Sequence, residues 1–366
     1  MPGDIFGRIA VIGGLILIGA LLRRAQILRT EHASLLNILV MNLTLPATVF
    51  LAVLSLRNVR RNWLELLRVP LVAYLVVLLC GLLAYFLSRW LRLERRRAGV
   101  FILLAMLGST AFLGYPMKDA LYRPGGEDPL PAACSSCSEP KEDCLAYREK
   151  HPQECALYDE ANATAVFYSE LGTLIPLLTV AVVVASRYGE GERFTWRNLL
   201  AVLKSGPFVA FLLGLLFYTE EIPGVLTGIL GVLSQVTVPL IMLSLGITVR
   251  WGDFFGRQAR AILAVNALKL LLSPLLAFLF CLLLGLSGQM RNVTILMSAL
   301  PSLMLSLSYA NQYRLDIEFA SNALFASFFL SAVTLPVLVS LFPHGTSEAV
   351  QGALGLAPSI SLFFPR

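Results

Sequence analysis

Charge is scarce in this chain. Only 14% of its 366 residues are Asp, Glu, Lys or Arg, while 57% are hydrophobic, and the mean hydropathy is +0.74. A soluble fold could not solvate such a surface, so lipid is the expected main solvent. Histidine is scarcer still: His32, His151 and His344 are the full set, and none lies inside an apolar run. That excludes an intramembrane HExxH metalloprotease. The apolar runs carry no paired aspartates and no nucleophile motif. The chain is therefore not expected to be an enzyme, and no catalytic residue or cofactor is assigned. An ATP-binding domain is missing as well, so uphill transport would have to draw on an ion gradient or on exchange. The formal net charge of +6 does not point to nucleic acid, because the basic residues sit in short clusters between apolar runs, where they orient helices.

What is present is a series of apolar runs: 5–22, 33–56, 65–88, 97–122, 163–186, 198–217, 224–249, 258–286, 292–313 and 318–342. Each is about 18 residues or longer, enough to cross a hydrocarbon core of about 30 Å. The first run is followed, not preceded, by Arg23-Arg24, so a retained helix is expected rather than a cleaved signal peptide. Placing the N-terminus outside puts Arg23, Arg24 and Arg29, then Arg89, Arg92 and Arg95–Arg97, on the inner side. The same orientation leaves Glu220 and Glu221 outside. Arg57, Arg60, Arg61 and Arg68 dissent, but the balance favours both termini extracytoplasmic.

The two halves look related. Asn42-Leu-Thr-Leu-Pro46 in the second run is echoed by Gln235-Val-Thr-Val-Pro239 in the seventh. Five spans separate them, an odd number, so the repeats must be inverted. The expected fold is an all-α polytopic membrane protein of ten transmembrane helices in two inverted five-helix repeats. The first repeat takes residues 1–122 (helices 1–4) and 161–186 (helix 5), the second takes 187–345 (helices 6–10), and 346–366 is a tail. Segment 123–160 is an extracytoplasmic insertion, the one long polar stretch.

Proline removes a backbone hydrogen bond that lipid cannot replace, so broken helices are tolerated where they line a cavity. Two runs combine proline with small polar residues: the fourth, with Ser109, Thr110, Gly114, Tyr115 and Pro116, and the ninth, with Pro301, Ser302, Ser306, Tyr309 and Asn311. They hold matching places in the two halves, so broken crossover helices 4 and 9 are expected at the midplane, their half-helix N-termini facing an anion. Close helix packing is the alternative use of small residues. Lys269, the deepest intramembrane charge, together with Asn42 and Gln235, completes the candidate substrate-binding set. No acidic residue is nominated as a proton or sodium relay, although Glu170 lies within the fifth run.

The pattern resembles the auxin efflux carrier family, with a fold similar to that of the bile-acid sodium symporters. Leu36-Asn37 through Leu45-Pro46-Ala47, Gly114-Tyr-Pro116, Val238-Pro239 with Ser244-Leu-Gly246, Lys269 to Pro274, Ala299-Leu-Pro301 to Tyr313, Ala320-Ser321 and Thr334-Leu-Pro336 carry the likeness. It implies a scaffold of helices 1, 2, 6 and 7, a moving domain crossing at helices 4 and 9, and elevator-like transport of organic anions. This chain has Ser109 where the family often has Asn. Its long loop follows helix 4, whereas the family's, where present, follows helix 5.

Four of the six cysteines, Cys134, Cys137, Cys144 and Cys155, fall in the insertion. Outside the cell they would most simply form two disulfides of unknown pairing. A metal site from these four with His151, or a redox-active CxxC, are alternatives. Asn162-Ala-Thr164 matches a glycosylation sequon. The chain is thus expected to be a plasma-membrane secondary carrier for a mono- or dicarboxylate or an auxin-like acid. Its partners would be that anion, a coupling ion (proton or sodium), the lipid bilayer and a second copy of itself, with no nucleic acid. A sodium-coupled bile-acid-type symporter, or a sensor with the cysteine segment as its binding head, are the alternatives.

Overall fold

The computed structural model describes residues 14–54, 63–122, 152–190, 206–217, 219, 222–248 and 258–341. All regular structure among them is helical, apart from one isolated antiparallel bridge between Gly108 and Ser302. Six helices are long and apolar enough to cross a membrane: Glu31–Leu54, Leu64–Trp90, Cys155–Tyr188, Gly224–Ser244, Ala259–Leu283 and Ile317–Leu341.

In chain order, α1 covers residues 14–24. Helix α2 runs through Thr30–Leu39, a π-helical turn Val40–Thr44, and Leu45–Leu54, and α3 is Trp63–Trp90. Helix α4 is Arg95–Met106, and α5, Tyr115–Tyr122, is entered through the π-helical turn Thr110–Gly114. Helix α6 comprises Pro152–Val166, the π-helical turn Phe167–Thr173, Leu174–Leu178 and Val180–Tyr188. Then follow α7, Gly206–Phe217, and α8, Gly224–Thr248. Helix α9 comprises Ala259–Ala267, the π-helical turn Leu268–Leu272 and Ser273–Leu283. The last three are α10, Gly288–Ser298, α11, Leu305–Gln312, and α12, Ile317–Leu341.

Each of these π-helical turns stands two or three residues before a proline: Pro46, Pro116, Pro176 and Pro274. Proline lacks the N–H of the i→i−4 ladder and its ring crowds the carbonyl four residues back. Widening the preceding turn makes room without ending the helix. Pro70, Pro239 and Pro336 instead lie within uninterrupted α-helix.

The helices pack in two groups. In the first, α8 lies along α2 and α7 covers the Leu45–Leu54 half of α2. The Thr48 and Thr237 hydroxyls meet at 2.9 Å, and Ser244 donates to the Asn37 side-chain oxygen at 2.8 Å. Helix α1 joins them where Gly19 faces Gly246: a Cβ on Gly246 would stand 2.0 Å from the Ile16 carbonyl oxygen. In the second group α3 packs on α4 and on the π-helical turn of α6, while α9, α10 and α12 close around α3 and α4. Its interior is filled by Val72, Val76, Phe101, Leu103, Leu104 and Val293, all buried. Lipid is as apolar as these side chains, so dense packing and small residues, more than the hydrophobic effect, hold such helices together. The groups meet where the Leu45–Leu54 half of α2 lies against the Pro152–Val166 part of α6.

Two runs expected to be interrupted are divided: 97–122 breaks at Leu107–Ser109, and 292–313 breaks between Ser298 and Leu305. The first break precedes Pro116, which sits within helix because the π-helical turn before it absorbs the missing hydrogen bond. At the insertion, helix already begins at Pro152, inside the expected segment 123–160. Cys155 is buried on that helix, and no disulfide joins described cysteines. Cys134, Cys137, Cys144 and His151 lie outside the described residues. The sequon does not hold as a glycan acceptor: Asn162 is buried mid-helix and accepts a hydrogen bond from Lys118 Nζ.

Candidate functional site

The breaks in the two divided segments meet. Between α4 and α5 the chain leaves the helix at Leu107–Ser109, and between α10 and α11 it does so at Pro301–Leu303. The Ser109 N–H donates to the Pro301 carbonyl at 2.9 Å and the Leu303 N–H donates to the Leu107 carbonyl at 3.1 Å. Helix α12 braces the crossing, since the Ser302 N–H donates to Ser327 Oγ at 2.9 Å. Ser302 Oγ in turn donates to the Leu104 carbonyl at 2.9 Å, near the end of α4. Freed backbone groups inside a membrane need such partners, and here the two breaks supply them to each other.

Behind the crossing stands Lys269, carried by the π-helical turn of α9 and 3% exposed. Its Nζ donates to the Ser298 carbonyl at 3.2 Å, and Ser273 Oγ donates to the same oxygen at 3.0 Å. Ser298 ends α10, so the ammonium sits at the negative end of that helix, where a cation is favoured. Gly108 lies close against it: a Cβ there would stand 2.9 Å from Lys269 Nζ.

In front of the crossing a cleft opens between the two helix groups. Met41, Leu45 and Pro207 form its wall on one side; Thr110, Phe112, Leu303 and Leu305 come from the crossing on the other. The π-helical turn of α6 adds Ser169, Glu170 and Thr173. The Thr110 and Ser169 hydroxyls are 3.3 Å apart, and Tyr115 OH donates to Glu170 Oε1 at 3.3 Å. Two buried hydroxyls at the breaks, Ser109 Oγ and Ser306 Oγ, have no hydrogen-bond partner among the described residues. Among the described residues no cluster of His, Cys, Asp and Glu could hold a metal ion.

A cleft bounded by unwound, crossing segments in a membrane chain is how many carriers are built, and comparison with known proteins agrees. A family model described as membrane transport protein matches residues 4–193 and 191–339. The chain belongs to the auxin efflux carrier family of membrane transport proteins. An uncharacterized transporter of Methanothermobacter thermautotrophicus is 30% identical over 324 residues, 88% of this chain and 93% of that protein. An uncharacterized transporter of Methanocaldococcus jannaschii is 29% identical over 323 residues, 85% of this chain and 90% of its own. A probable auxin efflux carrier component 5c of Oryza sativa subsp. japonica is 29% identical over 129 residues, 33% and 32% of the two chains.

In this family member the expected site residues are dispersed. Thr110 lines the cleft, and Ser109, Tyr115, Pro301, Ser302 and Ser306 are buried beside it at the breaks. Gly114 packs away from it, its missing Cβ leaving room for Met297 Sδ, which would be only 2.5 Å away. Pro116 lies at the start of α5. Tyr309 OH donates to the Leu177 carbonyl at 3.3 Å, which ties α11 to α6. Asn42 and Gln235 are exposed, and Asn42 donates back to the Ile38 carbonyl of its own helix; Asn311 is exposed as well. None of these three lines the cleft. Glu170 does, although hydropathy alone gave no reason to prefer it. The proline pattern was the available signal, because Pro176 follows the turn that presents Glu170.

Proposed function

We propose that this family member is a secondary carrier for a small organic anion, a mono- or dicarboxylate or an auxin-like acid, held in the cleft beside the crossing. The position of that cleft carries the reading: it lies between two separately packed helix groups and is floored by the two breaks. Sliding of the group containing α3, α4, α6, α9, α10 and α12 against α1, α2, α7 and α8 would carry such a site across the membrane, as in an elevator. Counting each divided segment as one span, and runs 5–22 and 198–217 as spans, gives ten crossings in two inverted halves with both termini outside. The pairing of Gly108 with Ser302, one from each half, supports that symmetry.

The chemistry favours an anion. The turn from Thr110 starts without a side-chain cap, and the first N–H groups of a helix lack intrahelical partners and carry the positive end of its dipole. Ser109 Oγ and Ser306 Oγ have hydrogen-bonding capacity to spare, and the Lys269 ammonium lies just behind Gly108. An apolar wall of Met41, Leu45, Phe112 and Leu303 would suit the carbon skeleton of an organic acid.

The test is uptake of labelled malate and indole-3-acetate by the full chain in proteoliposomes under imposed proton, sodium and voltage gradients. Saturable uptake is expected for at least one acid, reduced about tenfold in a Ser109→Ala/Ser306→Ala variant, which corresponds to about 1.4 kcal/mol of lost binding. Absence of flux of either acid under every gradient would sink the reading.

A further inference from the structure

Glu170 is unused by the anion site just described, and its setting is unusual. It lies in the middle of the apolar run Cys155–Tyr188, is 2% exposed, and lines the cleft. An ionisable side chain so placed is costly unless paired or watered, which makes it a functional candidate by default. It forms no ion pair with any described residue. The elements packed around its turn are α3, α5, α7, α10 and the rest of α6. The described titratable or charged groups these elements carry are Glu65, Arg68, Tyr74, Cys80, Tyr85 and Arg89 in α3, Tyr115, Lys118, Asp119 and Tyr122 in α5, Arg291 in α10, and Cys155, Tyr158, Asp159, Glu160, Tyr168, Arg187 and Tyr188 in α6, while α7 brings none. Of these only Tyr115 bonds the carboxylate, and Lys118 is engaged by Asp119, Tyr158 and Asn162.

We propose that Glu170 is the proton-binding group of the cleft, taking up a proton from one side of the membrane and releasing it to the other as the carrier turns over. The turnover clause rests on the carrier reading above. A protonated carboxyl is neutral and can remain dry between the two helix groups, whereas the ionised form requires the cleft to be wet. The π-helical turn Phe167–Thr173 serves this directly, because it turns Ser169, Glu170 and Thr173 together toward the cleft. Such turns recur at functional sites. A sodium ion would need a cage of free oxygen ligands. Among the described lining residues Glu170 supplies the one carboxylate, and Tyr115 OH donates to it. A lone carboxylate with a phenol donor suits a proton.

The experiment pairs spectroscopy with flux on the full chain in liposomes. Infrared difference spectra between high and low pH should show a carboxylic-acid C=O stretch that grows as pH falls. It should be lost in Glu170→Gln and titrate at a different pH in Tyr115→Phe. In parallel, an inward proton gradient should drive malate accumulation in the parent chain. That accumulation should fall to simple equilibration in Glu170→Gln, whose malate exchange should no longer vary with pH. A band that is absent, or that survives in Glu170→Gln, overturns the proposal. So does malate accumulation that follows sodium rather than protons and is lost in the same variant. A titrating band lost in Glu170→Gln, in a parent chain that moves no anion, supports the proton site and sinks the carrier reading alone.

Discussion

A charge inside a bilayer must be answered by something nearby, and the buried ionisable residues here are answered differently. Lys118 has a carboxylate, an amide oxygen and an aromatic face, the Tyr158 ring centroid lying 4.5 Å from its Nζ. Among the described residues Lys269 has only backbone, the Ser298 carbonyl at the end of α10. That difference makes Lys269 the more informative position to change. In Lys269→Met an unbranched side chain one atom shorter remains, and Ser273 still donates to the orphaned carbonyl. Losing a charge-assisted hydrogen bond and ceasing to bury a charge are opposing effects of similar size. Thermal stability in detergent should therefore change by no more than about 1 kcal/mol. The positive potential behind Gly108 would be gone, however, and the apparent KM for malate should rise about tenfold, since a charge a few ångströms away in a low-dielectric site contributes on the order of 1–4 kcal/mol. An unchanged KM would assign Lys269 a purely structural role as a helix cap.

At the scale of elements, close approach of α1 and α8 depends on two glycines. Any side chain at Gly246 meets the Ile16 carbonyl oxygen and the Ala20 nitrogen, the latter at 2.8 Å, and both are backbone atoms that cannot swing aside. Gly246→Ala should lower the melting temperature of the solubilised protein by the equivalent of about 2–3 kcal/mol. Gly231→Ala, where an added Cβ meets nothing within 4 Å, should be neutral or stabilising. Much of this level is legible in sequence: apolar length finds α3, α8, α9 and α12, and small polar residues beside proline mark 97–122 and 292–313 as interrupted. The exact place of the first interruption is not, because Leu107–Ser109 leaves the helix to bond partners on another segment, Pro301 and Leu303. Nor are the π-helical turns, since their cause is a proline that a plain α-helix also tolerates at Pro70, Pro239 and Pro336. Glu170 was hidden for the same reason: which face it takes is set by an extra residue in its turn. Asn42 and Gln235 hold like places in two similar pentads, yet both are exposed, while Met41 and Leu45, close to Asn42, line the cleft. A recurring motif does not by itself make its polar residue a ligand.

At the scale of the whole molecule, relative motion of the two helix groups can be tested by joining them. Cysteines replacing Leu45 and Thr110, which line opposite sides of the cleft, can be bridged by a short bis-thiol reagent. That should reduce malate flux at least tenfold and restore it on reduction if a cleavable reagent is used. Cysteines replacing Thr48 and Thr237, whose oxygens are 2.9 Å apart within one group, should be joined without loss of flux. Equal inhibition by both pairs would mean that the groups do not move as units. The crossing itself has a further consequence, for biogenesis. The hydrogen bonds that complete it join Leu107 and Ser109 to Pro301 and Leu303, so a ribosome must make most of the chain before the earlier residues can find their partners. Until then one amide and one carbonyl of the early segment are stranded at membrane depth, at a cost that favours delay in the translocon or a chaperoning partner. A nascent chain halted before Pro301 should consequently remain protease-sensitive near Leu107, and protection should arrive late and all at once.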